Sequence, residues 1–214
     1  GLLKTPVPAL SPAALAEASD IVVECVPKAA FLEIVEPALR AGCQVVTVSG
    51  AGLLEHPEIV DLATRYDAQI ILATGALLGL DAVRAAAEGE IHDITMITRK
   101  PPSSLIGAPH LEKNNIDVSD LSEALKVFSG SAREGAAGFP ANVNVAAALG
   151  LAGLGADQTR LEIWADPAVT RNTHSIRLEG AEARFEMKIE NVPTEENPAT
   201  GKLTALSVIA CLRG

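Results

Sequence analysis

Ile21-Val22-Val23-Glu24-Cys25-Val26, Gln44-Val45-Val46-Thr47-Val48 and Gln69-Ile70-Ile71-Leu72-Ala73 are three short runs of one kind, and their recurrence decides the fold. Each is almost continuously apolar and rich in β-branched residues. Each is followed by a turn of small residues and then, after the first two, by a stretch of helical period. The runs begin about two dozen residues apart, room enough for a crossover helix between parallel strands. Strands that are apolar on both faces belong to a parallel sheet covered on both sides. Consecutive βαβ units of one hand build half of a doubly wound sheet, and ligands of such sheets sit beyond the carboxyl ends of the strands. Those ends are Pro27, Ser49-Gly50 and Thr74-Gly75.

Working outward, Ala29 to Arg40 predicts a helix with Phe31, Ile34, Val35 and Leu39 on one face, which Pro37 should kink or shorten. His56 to Tyr66 predicts a second helix, with Pro57 at its first turn. After Val83 the texture changes. Ile91 to Arg99 alternates like a strand of a sheet with one open face. Ser103 to Asn115 reads as an irregular loop, and Phe139 to Leu154 as a long Ala-rich helix. Leu161 to Trp164, Ser175 to Leu178 and Arg184 to Ile189 read as strands, the last two a hairpin around Gly180-Ala181. A last helix, Lys202 to Leu212, is expected to return to the first domain. The predicted fold is α/β: part of a doubly wound, Rossmann-like parallel sheet over 1–83, then an α+β catalytic and dimerisation domain with an open mixed sheet over 84–200. Residues 201–214 form the returning helix.

Composition narrows the function. Aromatic residues are only 3% of the chain, so Ala, Val, Leu and Ile must fill the core. A net charge of −10 without any basic run argues against nucleic acid and against an anionic membrane surface. No apolar run nears the roughly 20 residues of a membrane span. Cys25, Cys43 and Cys211 are scattered and unpaired in sequence, which predicts buried free thiols in a reducing cytoplasm. The chain opens on Gly1-Leu2-Leu3 and reads as one entered part-way along, and a sheet beginning there would leave a strand edge and an apolar face uncovered.

Few segments carry chemistry. Gly50-Ala51-Gly52 and the Gly75 to Gly79 GxxxG are weak signals that tight turns at strand ends also explain. His56, His92 and His110 read as structural or surface histidines. His174 differs, because it closes Asp166-Pro167-Ala168-Val169-Thr170-Arg171-Asn172-Thr173-His174. That segment joins a titratable imidazole to a cation and to hydrogen-bonding side chains, and imidazole can take a proton from water and return it. Asn142 and Asn144 begin the Ala-rich helix, where amides either hold a carboxamide or anion or simply cap the helix. Arg171 and Lys100 are candidates, on charge alone, for gripping carboxylates.

Thr98-Arg99-Lys100-Pro101-Pro102, Phe139-Pro140-Ala141-Asn142-Val143-Asn144-Val145-Ala146-Ala147, Arg171-Asn172-Thr173-His174 and Glu190-Asn191-Val192-Pro193 follow one another behind Gly75-Ala76-Leu77-Leu78-Gly79-Leu80-Asp81-Ala82. In order and spacing these segments resemble the L-aspartate dehydrogenase family over essentially the whole chain. The resemblance implies oxidation of L-aspartate by NAD or NADP to iminoaspartate, which hydrolyses to oxaloacetate and ammonia, in the supply of NAD biosynthesis. It implies His174 as the catalytic residue and Leu78 and Asn144 as cofactor contacts. The scattered cysteines offer no metal site, and the open hydrophobic sheet expected in the second domain points to a homodimer. The resemblance also implies a GxGxxG segment ahead of Gly1. Two other readings fit the same residues: a non-catalytic dimeric or regulatory protein on this scaffold, or a dehydrogenase for a related dicarboxylate.

Overall fold

The computed structural model describes residues 7–139, 143–195 and 200–214, and it divides the chain into two compact units, Gly1–Leu72 and Ala73–Gly214. In the first unit β1 (Ile21–Glu24), β2 (Gln44–Thr47) and β3 (Gln69–Leu72) form a parallel sheet in the order β1-β2-β3. Ahead of them, α1 (Pro12–Glu17) is capped by the Ser11 hydroxyl, which accepts from the Ala14 N–H. A 3-10 turn, Lys28–Ala30, leads into α2 (Phe31–Arg40), and α2 runs through Pro37 to Arg40 instead of stopping short. Its face of Phe31, Val35 and Leu39 packs with Val22, Val45 and Ile59. Among the described residues only one face of β1 is covered, and Ile21 and Val23 on the other are exposed.

Between β2 and β3 stand two helices, α3 (Gly50–Glu55) and α4 (Glu58–Arg65). Gly50-Ala51-Gly52 is thus the start of a short helix. A Cβ on Gly52 would lie 2.8 Å from the Phe31 ring, so this glycine serves close packing. The carboxyl ends of β1 and β2 are tied by a buried carboxylate that the apolar pattern conceals. Glu24 is the register partner of Thr47, and it accepts from the Thr47 hydroxyl, from the Ser49 hydroxyl (3.1 Å) and from the Val26 N–H (2.8 Å). Full satisfaction of its oxygens is what makes such burial tolerable.

The second unit begins with the Gly75 to Gly79 turn and α5 (Leu80–Ala87). By contacts this unit starts at Ala73, ten residues ahead of Val83. Val83 is fully buried, and Gly153, just past α8 (Val143–Ala152), is close enough that an added Cβ would be 3.2 Å from it. β4 (Ile91–Lys100) leads to a 3-10 turn, Pro102–Ser104, and to α6 (Pro109–Asn114), where sequence reading expected only loop. Then come β5 (Leu125–Ser131), α7 (Ala132–Gly138), α8, β6 (Arg160–Ala165), β7 (Thr173–Gly180), β8 (Arg184–Glu190) and α9 (Lys202–Arg213). The start of the Ala-rich helix predicted from Phe139, including Pro140 and Asn142, lies outside the described residues.

These strands make one mixed sheet in the order β5-β6-β4-β7-β8, with β4 and β6 parallel and the other pairs antiparallel. Its inner face carries Ile94 and Met96 from β4, Leu161 and Ile163 from β6, and Ile176 and Leu178 from β7, all buried. Helices cover this face closely: Gly135 of α7 sits on Leu161, and Gly153 on Ile94. The outer face is charged rather than hydrophobic, with Arg177 beside Glu186 and Lys188 beside Glu190. α9 belongs to this second unit. Its Ser207 hydroxyl accepts from the Gly75 N–H at 3.1 Å, so the last helix clamps the turn that opens the unit.

Gly79 fixes the other end of that turn. Its φ is +68°, and an added Cβ would collide with the Met187 sulfur of β8. Gly79→Ala should lower the unfolding free energy by about 1–2 kcal/mol from the left-handed backbone alone, since the Met187 tip can move aside. Urea denaturation of both proteins would measure it.

Candidate active site

β4 and β7 bring the site together through their register. Thr98 and His174 are direct cross-strand partners, so their side chains share one face of the sheet. His174 is 5% exposed and Thr98 1%, and the Thr98 hydroxyl lies 3.0 Å from His174 Nδ1. That contact occupies one ring nitrogen and leaves the other for a ligand or water. Burial, joined by the charge of Lys100, lowers the imidazole pKa to about 4, so His174 is neutral at physiological pH. Lys100, two residues beyond Thr98 on the same face, is 5% exposed, and burial lowers its pKa to about 8.

Thr98→Val should lower turnover by roughly 3- to 10-fold with KM nearly unchanged, because the loss is one neutral hydrogen bond that orients the ring. Steady-state kinetics at saturating substrate would read it.

The end of β8 adds a residue to which sequence reasoning gave no role. Ile189 is the cross-strand partner of His174, and Asn191 follows two residues on, 6% exposed. Its Nδ2 donates to the Ala76 carbonyl at 3.2 Å. A carbonyl can only accept, so that bond fixes which way the amide points. Among the described residues, Asn191 Oδ1 is a buried side-chain oxygen that accepts no hydrogen bond. Asn191, Ser207 and Met187 together hold the Gly75 to Gly79 turn against the His174 side of the sheet. The signal for Asn191 was its position next to Pro193 at the end of an alternating strand, which by itself indicates only a strand end.

The other expected residues separate. Leu78 is half-buried within the turn that Asn191 holds. Asn144 is exposed on the first turn of α8, a different element from those that carry His174. Arg171 does not join Lys100. It lines a depression of about 580 Å³ with Ile97, Arg99, Thr173, Ser175 and Lys188, whose positions alternate with those of Thr98 and His174. Arg171, in the bend just ahead of β7, thus opens onto the outer face with the strand residues that line this depression. The remaining histidines are structural: His56 lies 3.0 Å from Glu58, His92 flanks Glu90, and His110 packs against Phe128 and Phe139. The cysteines are free, though only Cys43 is buried and Cys25 is exposed.

A flat amide-bearing ligand fits these residues. Gly75 has a φ of +63°, and an added Cβ would meet nothing within 4 Å, so the turn's backbone is open to close approach. A neutral imidazole and an ammonium that makes no salt bridge among the described residues stand on the same side of the sheet as that turn.

Comparison with known proteins agrees. Residues 2–73 match the NAD-binding domain of homoserine dehydrogenase, and residues 81–214 match the C-terminal domain of aspartate dehydrogenase. A nucleotide-binding unit followed by this mixed sheet with its buried His174 defines a dehydrogenase that uses NAD or NADP. The chain is 58% identical to L-aspartate dehydrogenase of Bradyrhizobium diazoefficiens, covering 93% of this chain and 71% of that one. It is 54% identical to L-aspartate dehydrogenase 3 of Bordetella bronchiseptica, covering 99% and 77%. The crystal structure of aspartate dehydrogenase from Thermotoga maritima superposes with a TM-score of 0.77 at 27% identity, covering 99% of this chain and 79% of that chain. The chain belongs to the aspartate dehydrogenase family. Among the described residues, no helix is long and apolar enough to cross a membrane.

Proposed function

We infer that the protein oxidises L-aspartate to iminoaspartate, which water converts to oxaloacetate and ammonia, with His174 as the catalytic residue. The observation that carries this reading is the buried, neutral His174, tied to Thr98 and sharing a face with Lys100 and the Gly75 to Gly79 turn.

NAD or NADP, when bound, supplies the two-electron acceptor for the hydride that leaves Cα. Leu78 of the turn and Asn144 of α8 are the residues that would hold it. The chain's own groups manage the protons. Forming C=N requires the amino nitrogen to lose a proton, and adding water to C=N requires that water to lose one. The free ring nitrogen of His174 accepts either proton. A group whose pKa is about 4 holds that proton only in passing and returns it to the departing ammonia.

The test runs the reaction backwards. Oxaloacetate with ammonium should consume NADH or NADPH, followed by loss of absorbance, and L-aspartate should be preferred among amino dicarboxylates in the forward direction. Binding of NADH without turnover of any of these would favour a non-catalytic role. We extend the reading to a homodimer joined through the charged outer face, where Arg177–Glu186 and Lys188–Glu190 supply both signs for a self-complementary contact. Free thiols at Cys25, Cys43 and Cys211 fit a reducing cytoplasm.

A further inference from the structure

We propose that Lys100 is the anchor for a carboxylate of the substrate: a buried ammonium on the His174 face, without a counter-ion of its own, that a bound dicarboxylate completes. The proposal rests on the dicarboxylate reading given above and names the residue that recognises it.

The argument begins with what surrounds the side chain. Lys100 is the last residue of β4, 5% exposed, and among the described residues it makes no salt bridge. Its neighbours account for this. On β6 its register partner is Ala165, which carries no charge. Asp166, next along, donates its backbone N–H to the Lys100 carbonyl, but its carboxylate is engaged elsewhere. One oxygen takes Arg99 at 3.0 Å and the other takes the Ala168 N–H at 2.9 Å. On β7 the facing titratable group is His174, neutral and unable to balance a cation. On β4 itself Thr98 is turned to His174. The acidic residues of β8, Glu186 and Glu190, pair with Arg177 and Lys188 on the outer face.

A lysine so buried is costly unless something balances it. Burial is the cause of its lowered pKa, with no carboxylate nearby to oppose the shift. A carboxylate arriving beside His174 would supply the missing charge and draw a proton onto the amine. Lys100 thereby selects an anionic group at the spot where the imidazole works, while Arg171 on the outer face does not.

The linkage makes the proposal measurable. Succinate, an unreactive dicarboxylate, is titrated calorimetrically into the NADH-bound protein at pH 8 in two buffers of different ionisation enthalpy. A group with a pKa of about 8 is half charged there, so binding should take up about half a proton. Between pH 8 and 9 the affinity should fall about fivefold if the bound pKa is well above 9, as the charged fraction of the free amine drops. Lys100→Met should weaken succinate at least tenfold and abolish the uptake. Lys100→Arg should keep much of the affinity with no uptake, since its guanidinium stays charged. His174 is neutral throughout this range and contributes nothing. Succinate binding without proton uptake in the wild type, or unchanged affinity in Lys100→Met, would overturn the proposal. If Lys100→Met does not fold, the wild-type pH dependence decides alone. Failure of the functional reading is distinct: succinate would bind with uptake while L-aspartate went unoxidised.

Discussion

His174→Ala is expected to lower turnover by about 10²- to 10⁴-fold, the usual scale for removing a general acid–base group. The side chain is 5% exposed, one nitrogen is held 3.0 Å from Thr98, and the other is the group free to exchange protons on that face. Circular dichroism and the thermal midpoint should show a folded protein, because the cavity and the orphaned Thr98 hydroxyl together cost about 1–3 kcal/mol. Turnover within a few-fold of wild type would exclude His174 from the reaction. The pH profile should bear the same signature. Neutral His174 predicts no inflexion near pH 6.5, and loss of charge on Lys100 predicts falling kcat/KM above pH 8.

The second large effect concerns stability in acid. His174 titrates at about 4 in the folded protein against 6.5 when unfolded. Between these values the unfolded chain binds more protons, so stability falls as pH falls from 6.5 toward 4 and is fully present above 6.5. The loss from this one residue is about 3 kcal/mol, at 1.36 kcal/mol per pKa unit. His174→Gln keeps a polar partner for Thr98 without a titrating ring. Its unfolding free energy should therefore fall less steeply across that window than the wild type's, by denaturant titration at several pH values. Equal slopes for the two proteins would mean that His174 is not held neutral by burial.

Both effects arise from one strand pair, and that pairing was only partly legible beforehand. The alternation from Ile91 to Arg99 identified β4, and the Arg171 to His174 segment identified the imidazole. Neither says that Thr98 lies opposite His174, because register is a relation between segments some seventy residues apart, about as far as any local pattern is from informative. The same limit applies to Arg171. Sequence proximity groups it with His174, whereas in the structure it lines the depression of the outer face with Thr173 and Ser175. α6 was hidden in a polar stretch. α7 had a readable signal in Ser131 and Glu134, a capping box in which each side chain meets the other's backbone N–H.

What local order alone determined is the succession of elements in the first sheet, the alternation of the second, and the singular company of His174. These depend on side-chain period and chain stiffness, which neighbours along the chain decide. Only the tertiary structure decided that Glu24 could be buried at a strand end, that Asn191 and Ser207 hold the Gly75 turn, and that Lys100 stands beside a neutral imidazole with no counter-ion among the described residues. Each of these is a matter of desolvation and pairing, and a charge is desolvated by whatever the fold packs around it, which its own sequence neighbours do not specify.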